Sequence, residues 1–248
     1  MPDLTGRTAL VTGATSGIGK AAALALAAAG ATVAIGGRHR ERGQAVVDAI
    51  TAAGGSATFL AADLLDAVSA TDLAARATEA LGGRVDILVN NAGVYPFGPT
   101  ESMDEPTFDA VYAVNVKAPW FLVAALAPGM AERGSGAIIN VTTMVAEFGA
   151  EGMALYGSSK AALMLLTKSW AAEYGPRGVR VNAISPGPTR TEGTAGMGEA
   201  LDRLASLSPA GRPASPEEIA AGIVFLAGDD ASFVHGAVLA ADGGRAAT

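Results

Sequence analysis

Two residues suited to proton transfer stand four positions apart, Tyr156 and Lys160, in the run Tyr-Gly-Ser-Ser-Lys. On a helix, residues at this spacing share one face. A lysine cation beside a phenol stabilises the phenolate, so we expect Lys160 to lower the pKa of Tyr156 towards neutrality. A phenol tuned in this way can donate a proton to a carbonyl oxygen or accept one from an alcohol. The pair alone is a weak pattern that arises often by chance.

A glycine-rich segment, residues 12–20, follows a predicted strand and opens a predicted helix. The spacing of Gly13, Gly17 and Gly19 is G-x3-G-x-G, whereas most dinucleotide-binding sites have G-x-G-x-x-G. Free N–H groups and the positive end of the helix dipole bind phosphates at such a junction. We expect Gly13 to form the turn, Gly17 to let the backbone approach a pyrophosphate, and Gly19 to pack helix on strand. The alternative is an ordinary glycine-rich turn.

The second predicted strand ends in Gly36-Gly37-Arg38-His39-Arg40, without a carboxylate. In NAD sites an acidic residue at this strand end binds the ribose hydroxyls. A guanidinium instead pairs with phosphate in bidentate fashion, so Arg38 favours the 2′-phosphate of NADP over NAD. The alternative is a solvated run of charge at the start of a helix.

Composition excludes several kinds of chemistry in this chain of 248 residues. Without cysteine and with two histidines, it cannot form disulfides, cysteine nucleophiles or three-histidine metal sites, and we predict no metal. The net charge of −7 argues against nucleic acid as a partner. We predict neither a signal peptide nor a membrane span, because the apolar stretch 21–37 fits an alanine-rich helix followed by a strand. We therefore expect a cytoplasmic protein.

Strands and helices alternate along the chain, which predicts an α/β doubly wound Rossmann fold of about seven parallel strands with helices on both faces. We expect a single domain over residues 1–248, with a substrate lid at about 188–214. The predicted strands cover 8–12, 32–35, 58–62, 85–90, 137–141, 179–184 and 237–240. The first predicted helix follows the glycine loop and ends at residue 29. The other predicted helices cover 40–53, 68–81, 104–133, 154–174 and 216–227.

Four motifs follow one another in a specific order. They are the glycine loop, Asn90-Asn91-Ala92-Gly93 after the fourth strand, the Tyr156 and Lys160 pair, and Pro186-Gly187 after the sixth strand. With these motifs the chain resembles the short-chain dehydrogenase/reductase family from Gly6 through Asp242-Gly243-Gly244. The resemblance implies that Tyr156 is the catalytic acid/base, and that Lys160 lowers its pKa and holds the nicotinamide ribose.

The resemblance extends to the cofactor site and to a helix asparagine. It implies that the main-chain carbonyl of Asn115 holds a relay water. Pro119 lacks an N–H, so a helix through both residues would leave that carbonyl free, unless Pro119 starts a new helix. To the cofactor we assign four groups of residues: Gly13, Thr15, Ser16, Gly17, Ile18 and Gly19; Arg38, His39, Asp63 and Leu64; Asn91, Ala92 and Gly93; and Pro186, Gly187, Thr189 and Thr191, besides Tyr156 and Lys160.

The chain departs from the family at the substrate-orienting serine. That serine lies thirteen residues before the tyrosine, where this chain has Thr143. Threonine keeps the hydroxyl, but its methyl group restricts the rotamers and narrows the nearby space. We expect Thr143 to take the role of the serine. There are two alternatives: Thr142 replaces the serine as hydroxyl donor, or the active site is impaired.

Loops expected to line the substrate pocket are mostly apolar, which predicts a hydrophobic ketone or aldehyde; Glu147 is the exception. We predict NADP(H)-dependent reduction of a small-molecule carbonyl compound to an alcohol, or the reverse. One alternative is a 3-oxoacyl-carrier-protein reductase, for which only Arg133 and Arg177 offer a basic patch. Another is a non-catalytic NADP-binding regulator. From the family we expect a homotetramer or homodimer and no membrane partner.

Overall fold

All seven predicted strands are present in the computed structural model, which describes residues 2–247. They form one parallel sheet in the order β3-β2-β1-β4-β5-β6-β7. This confirms the predicted fold class. The strands are β1 (Thr8–Thr12), β2 (Thr32–Gly37), β3 (Ser56–Ala61), β4 (Ile87–Asn90), β5 (Gly136–Val141), β6 (Val179–Pro186) and β7 (Val238–Ala241).

The helices agree with the sequence except in two places. The region predicted as one helix, 104–133, contains two α-helices joined by a π-helical turn at Ala113–Lys117, and the predicted lid contains a helix, α7, that was not predicted. The helices are α1 (Gly17–Ala28), α2 (Arg40–Ala52), α3 (Ala67–Ala80), α4 (Glu105–Tyr112), α5 (Ala118–Glu132), α6 (Ala154–Tyr174), α7 (Glu199–Ala205) and α8 (Pro216–Ala227).

Two apolar layers cover the two faces of the sheet. Adjacent residues of a strand point to opposite faces, and the alternation is visible at Leu10 and Val11. Val11 belongs to the cluster that contains the buried side chains of α1, α2 and α8. Leu10 belongs to the cluster that contains those of α3, α5 and α6. Because both faces are covered, the strands carry continuous apolar runs rather than alternating ones.

One helical run among the described residues, Glu105–Glu132, is long and apolar enough by length and composition to cross a membrane. Its most apolar stretch has a mean hydropathy of 1.5, and 56% of that stretch is buried inside the fold. Leu122, Val123 and Met130 belong to the layer against the sheet. A buried core helix passes the same test of length and composition, and the packing of α5 accounts for its apolar character.

The candidate residues gather at the carboxyl edge of the sheet. Gly13 follows β1, Asn91 follows β4 and Thr143 follows β5, while Gly187 follows β6. The strand order reverses between β1 and β4, and in sheets of this kind ligands bind outside the carboxyl ends at that point. The sheet therefore brings together motifs that are far apart in sequence.

The predicted lid, residues 188–214, leaves the sheet and returns to the same place. The backbone N–H of Arg190 donates to the carbonyl of Ala214 at 2.9 Å, and the N–H of Ala214 donates to the carbonyl of Pro188 at 2.8 Å. Between these ends lie a short 3₁₀ helix, Glu192–Met197, and α7. The lid is thus a long loop after β6 whose two ends are hydrogen-bonded to each other.

Candidate active site

Helix α6 carries both residues of the proton-transfer pair near its start. The ammonium group of Lys160 is buried, and its Nζ donates to the backbone carbonyl of Val141 at 2.8 Å. Val141 ends β5 and stands two residues before Thr143. The side chain of Lys160 is therefore held between α6 and the end of β5, beside the threonine that replaces the family serine.

The pKa values of the pair differ from the sequence-based expectation. Burial raises the pKa of Tyr156 to about 12, with Tyr95 adding to the rise and the hydroxyl of Thr143 opposing it. Burial lowers the pKa of Lys160 to about 8. The predicted lowering of the Tyr156 pKa towards neutrality is wrong for this structure, because the loss of water around the phenol outweighs the neighbouring groups. At neutral pH the phenol of Tyr156 is therefore protonated, which is the form that donates a proton, and Lys160 is an ammonium.

Asn115 joins three segments of the site with its side-chain amide. Its Oδ1 accepts from the N–H of Val94 at 2.9 Å, and its Nδ2 donates to the carbonyl of Val94 at 2.9 Å. The same Nδ2 donates to Oγ of Ser159 at 3.0 Å, and that hydroxyl donates to the carbonyl of Tyr156. The amide thereby couples the loop after β4 to the first turns of α6. Ser159 was not singled out from the sequence, although it lies inside the Tyr156–Lys160 motif.

The helix around Asn115 contains a π turn, which the sequence pattern anticipated only in part. The N–H of Ala118 donates to the carbonyl of Ala113, five residues back. Pro119 lies in the first turn of α5, directly after the π turn, and without an N–H it cannot donate to a carbonyl of that turn. The structure thus combines the two interpretations of the Asn115–Pro119 spacing. The α-helical hydrogen-bond pattern is interrupted at the π turn, and Pro119 lies at the start of the next α-helix. π turns of this kind are frequent at functional sites.

The two threonines after β5 have separate roles. The hydroxyl of Thr142 donates to the carbonyl of Ile184 at 2.9 Å and is committed to the packing of β5 on β6. Thr143 precedes a 3₁₀ turn without capping it through its side chain, and its hydroxyl lies beside the phenol of Tyr156. The geometry favours Thr143 over Thr142 as the residue in the position of the family serine.

The glycine loop is packed closely against the loop that follows β4. Gly17 has a φ of +53°, which a residue with a side chain adopts only at a cost. A Cβ at Gly19 would overlap Nδ2 of Asn91 and the carbonyl of Gly13. Gly19 is therefore a close-packing position, as the spacing predicts.

Thr12 connects the glycine loop to the Asn-Ala-Gly loop, a role that the sequence did not reveal. Its Oγ1 accepts from the N–H groups of Asn91 and Ala92, each at 3.0 Å. Nδ2 of Asn91 in turn donates to the carbonyl of Thr12 at 2.8 Å. The position of a hydroxyl residue immediately before Gly13 was the available signal. These bonds fix the two loops relative to each other.

The residues predicted to bind the adenosine half surround the ends of β2 and β3. Arg38, His39 and Asp63 are exposed, whereas Leu64 is buried. Arg38 is exposed to solvent, and within residues 2–247 no side-chain hydrogen bond or ion pair of its guanidinium is observed. Gly37 lies directly against the side chain of Thr15, so Arg38, the next residue, lies beside the glycine loop. The guanidinium is therefore available to a ligand at that loop.

The segment after β6 brings the start of the lid onto the glycine loop. The N–H of Gly187 donates to the carbonyl of Ala241 at 3.1 Å, and the hydroxyl of Thr189 donates to the carbonyl of Gly187 at 2.9 Å. A Cβ at Gly17 would lie 3.3 Å from Cβ of Thr191. Thr191 thus touches the loop with which it was predicted to share the cofactor.

A carboxylate of the chain itself, that of Glu192, is bound at the start of α1, where a nucleotide phosphate would be expected. The carboxylate of Glu192 accepts from the backbone N–H of Gly17 at 2.8 Å. This is the kind of N–H that binds phosphate at a helix N-terminus, and here it binds an oxygen anion of the chain itself. The loop geometry and donor therefore fit the diphosphate of a dinucleotide. Glu192 was not predicted as a site residue.

Tyr95 forms one wall next to the catalytic tyrosine. Its ring meets the ring of Tyr156 edge-on, with centroids 6.0 Å apart and planes at 63°. Its hydroxyl lies against Gly193 of the lid. Glu147, the polar exception in the predicted pocket lining, is exposed, and its Oε1 accepts from the hydroxyl of Ser185 at 3.0 Å.

The basic patch considered for a carrier protein lies at the wrong edge of the sheet. Arg133 donates to the carbonyl of Val85, just before β4, and Arg177 precedes the start of β6. In a parallel sheet these strand starts lie opposite the carboxyl edge, where Thr143 and Gly187 are found. Neither arginine can therefore form a rim of the candidate site.

Comparison with known proteins agrees with the geometry. Residues 13–246 match a family model described as enoyl-(acyl carrier protein) reductase. A D-threitol dehydrogenase of Mycolicibacterium smegmatis is 41% identical over 97% of this chain and 93% of its own length. A solved structure described as a short chain dehydrogenase/reductase family protein is 48% identical, covers 99% of this chain and 100% of its own, and superposes with a TM-score of 0.92.

A second solved structure has NADP bound at low occupancy. It is provisionally described as an NAD(P)-dependent gluconate 5-dehydrogenase of Beutenbergia cavernae, is 41% identical, covers 99% of both chains and has a TM-score of 0.94. The matches extend over nearly the whole chain, and the glycine loop, Asn115, Tyr156 and Lys160 occupy one edge of the expected sheet. The protein belongs to the short-chain dehydrogenase/reductase family of oxidoreductases.

Proposed function

We propose that the protein is an NADP(H)-dependent oxidoreductase that reduces a ketone or aldehyde to an alcohol, or catalyses the reverse reaction. The observation that carries this proposal is that Tyr156, with Thr143 beside its phenol, and Lys160, held at the end of β5, lie at the carboxyl edge of the sheet. The hydroxyl of Thr143 lies beside the phenol, and the ammonium of Lys160 is held at the end of β5. These groups supply a proton, a positive charge and a second hydroxyl for one carbonyl oxygen.

In the reductive direction, a bound nicotinamide cofactor would supply a hydride to the carbonyl carbon. The residues of the chain act on the carbonyl oxygen. Thr143 donates a hydrogen bond that orients the oxygen, and Tyr156 transfers its phenolic proton as negative charge develops there. The Lys160 ammonium stabilises the phenolate that remains. In the oxidative direction the phenolate takes the proton of the alcohol, and each of these steps is reversed.

Four features support NADP over NAD as the preferred cofactor. β2 ends without a carboxylate, Arg38 is exposed there, and its guanidinium has no partner among residues 2–247. The 41% identical neighbour from Beutenbergia cavernae holds NADP. A guanidinium would pair with the 2′-phosphate and gain nothing comparable from the 2′-hydroxyl of NAD.

The substrate class is narrowed by the surroundings of the site. Tyr95 and Phe97 present aromatic surface, since they are 50% and 73% exposed, and this favours a substrate with apolar groups. The D-threitol dehydrogenase adds polyols to the compounds that should be assayed. A carrier-protein substrate is the weaker candidate, because the two arginines that could attract an acidic carrier lie at the other edge of the sheet.

A substrate panel tests the proposal directly. The protein is mixed with NADPH or NADH and with ketones, aldehydes, polyols with oxidised cofactor, and acyl thioesters, and the near-ultraviolet absorbance of the reduced cofactor is followed. We expect turnover of carbonyl compounds with NADPH that Tyr156→Phe abolishes. Tight binding of NADPH with no turnover of any compound would instead support the regulator alternative. Turnover confined to acyl thioesters would support the carrier-protein reductase.

A further inference from the structure

The lid touches the cofactor side and the substrate side of the site at consecutive residues. Glu192 binds the N–H of Gly17, and Gly193 lies against the hydroxyl of Tyr95. The preceding Thr191 begins a 3₁₀ turn through reciprocal bonds with Thr194, which fixes the direction in which the chain leaves it. The carboxylate of Glu192 is therefore presented to the glycine loop by ordered backbone.

Within the part of the chain that the structure describes, helix α1 has no acidic residue of its own at its start. Ser16 precedes the helix without a side-chain capping bond, and the first turn contains no acidic residue. Free N–H groups at a helix start carry partial positive charge and favour a nearby carboxylate. The carboxylate that fills this role comes from a residue 175 positions away in sequence. A cap from a neighbouring residue such as Ser16 would leave the lid independent of α1, whereas the carboxylate of Glu192 connects the lid to α1.

Positive side chains strengthen the contact. Backbone N–H groups, its own first and then that of Gly17, lower the pKa of Glu192, and the charges of Lys20 and Arg42 act in the same direction. Glu192 is therefore ionised at neutral pH. The groups that favour its carboxylate are the same ones that would favour a diphosphate at this loop.

We propose that Glu192 is a built-in competitor of the cofactor diphosphate, which holds the lid on the glycine loop and must give up the N–H of Gly17 when the nucleotide binds. The proposal rests on the nucleotide-binding function proposed above. Two anions cannot share one N–H donor without repulsion, so the carboxylate lowers cofactor affinity. The same bond between Glu192 and Gly17 keeps residues 188–214 ordered over the candidate active site.

The first experiment measures nucleotide binding without any substrate. The fluorescence of NADPH is titrated with wild type, Glu192→Gln and, as a matched control, Glu199→Gln. Glutamine keeps the shape and the acceptor oxygen but removes the charge, whereas Glu199 is a lid carboxylate whose only partner among the described residues is Arg203. We expect the Kd of Glu192→Gln to be lower by about two- to fivefold, the range expected for removing one exposed charge at a helix start. The control should bind as wild type does.

The second experiment needs no cofactor. Amide hydrogen exchange is compared over peptides that cover Gly17 and residues 188–214, with the same three proteins. We expect exchange in Glu192→Gln to be at least about threefold faster over both regions, since the bond that joins them is weakened. An equal exchange rate in wild type and Glu192→Gln would overturn the proposed hold on the lid.

The outcomes separate this proposal from the proposed function. Equal or weaker NADPH binding by Glu192→Gln would show that Glu192 is not a competitor, while turnover by wild type would leave the oxidoreductase assignment intact. A wild type that binds neither NADPH nor NADH would overturn the proposed function and the competition together. The exchange comparison would still decide whether Glu192 holds the lid. The thermal midpoint of each variant establishes that it is folded.

Discussion

The ammonium nitrogen of Lys160 lies 2.8 Å from the backbone carbonyl oxygen of Val141, so the lysine is bonded to the end of the strand that presents Thr143. This contact positions the charge, but a single carbonyl does not replace the water that burial removes. The pKa of Lys160 accordingly falls to about 8. The positive charge of Lys160 is thus present at neutral pH and is lost at moderately alkaline pH.

The first prediction concerns the pH dependence of carbonyl reduction. Because Lys160 loses its proton above a pH of about 8 while Tyr156 keeps its own up to about 12, kcat/KM for reduction should fall on the alkaline side of pH 8. Initial rates at saturating NADPH from pH 6 to pH 10 measure this limb, with pH values chosen to bracket the lysine titration. Lys160→Arg should move the limb upward, since a guanidinium stays charged. An alkaline limb at the same pH in that variant would contradict the assignment to Lys160.

The second prediction concerns the proton donor. Tyr156→Phe removes the phenolic oxygen and should lower kcat by about 10²- to 10⁴-fold, the usual contribution of a general acid. NADPH binding, followed by fluorescence, should change little. Tyr112→Phe is the matched control, because its hydroxyl donates to Ser158 at 3.2 Å on the outer side of the same helix. Retention of full activity by Tyr156→Phe would remove this residue as the acid.

The third prediction tests the threonine that replaces the family serine. Thr143→Val keeps the shape but removes the hydroxyl, and kcat should fall by about tenfold or more through loss of one hydrogen bond to the developing charge. Thr143→Ser should retain activity and accept bulkier ketones, because it lacks the methyl group. Thr142→Val is the matched control, since it removes the other hydroxyl. If Thr142→Val, rather than Thr143→Val, abolished turnover, the roles of the two hydroxyls would be reversed.

The fourth prediction concerns cofactor choice. Arg38→Ala should reduce the ratio of NADPH to NADH affinity by about tenfold or more, since a bond between a charged donor and phosphate contributes about 1.5–3 kcal/mol. The affinities are measured by titration of each reduced cofactor. Arg177→Ala is the control, as an exposed arginine near the start of β6. An unchanged ratio in Arg38→Ala would refute its proposed contact with the 2′-phosphate.

The fifth prediction concerns stability at Asn115. The amide is fully buried and bonds both backbone groups of Val94 as well as Ser159. Asn115→Ala should therefore lower the free energy of unfolding by about 2–4 kcal/mol, because it leaves buried polar groups without partners. Urea denaturation measures this change. Ser159→Ala removes only one of these bonds and should cost less; a larger loss in Ser159→Ala would mean that the hydroxyl, not the amide, organises the junction.

Local sequence patterns were sufficient to predict the architecture. Continuous apolar runs such as that within 85–90 predicted buried parallel strands, and glycines after strands predicted turns that only glycine forms without strain. The helices α6 and α8 were predicted with their observed bounds. For α8 the start signal is clear, because Ser215 and Glu218 form a capping box around Pro216. The π turn at Ala113–Lys117 and the helix α7 were not predicted, since neither has a distinctive local pattern.

What the sequence by itself determined was the set of chemical groups and their order: a glycine loop, an arginine in place of an acid, and a Tyr–Lys pair on one helix. The tertiary structure alone decided their environment. Burial set the pKa of Tyr156 in the direction opposite to that expected from Lys160, and chain folding put Arg133 and Arg177 at the far edge of the sheet. The carboxylate of Glu192 reaches Gly17 across 175 residues of sequence. Desolvation and long-range contact depend on which segments meet in space, and no local pattern encodes that.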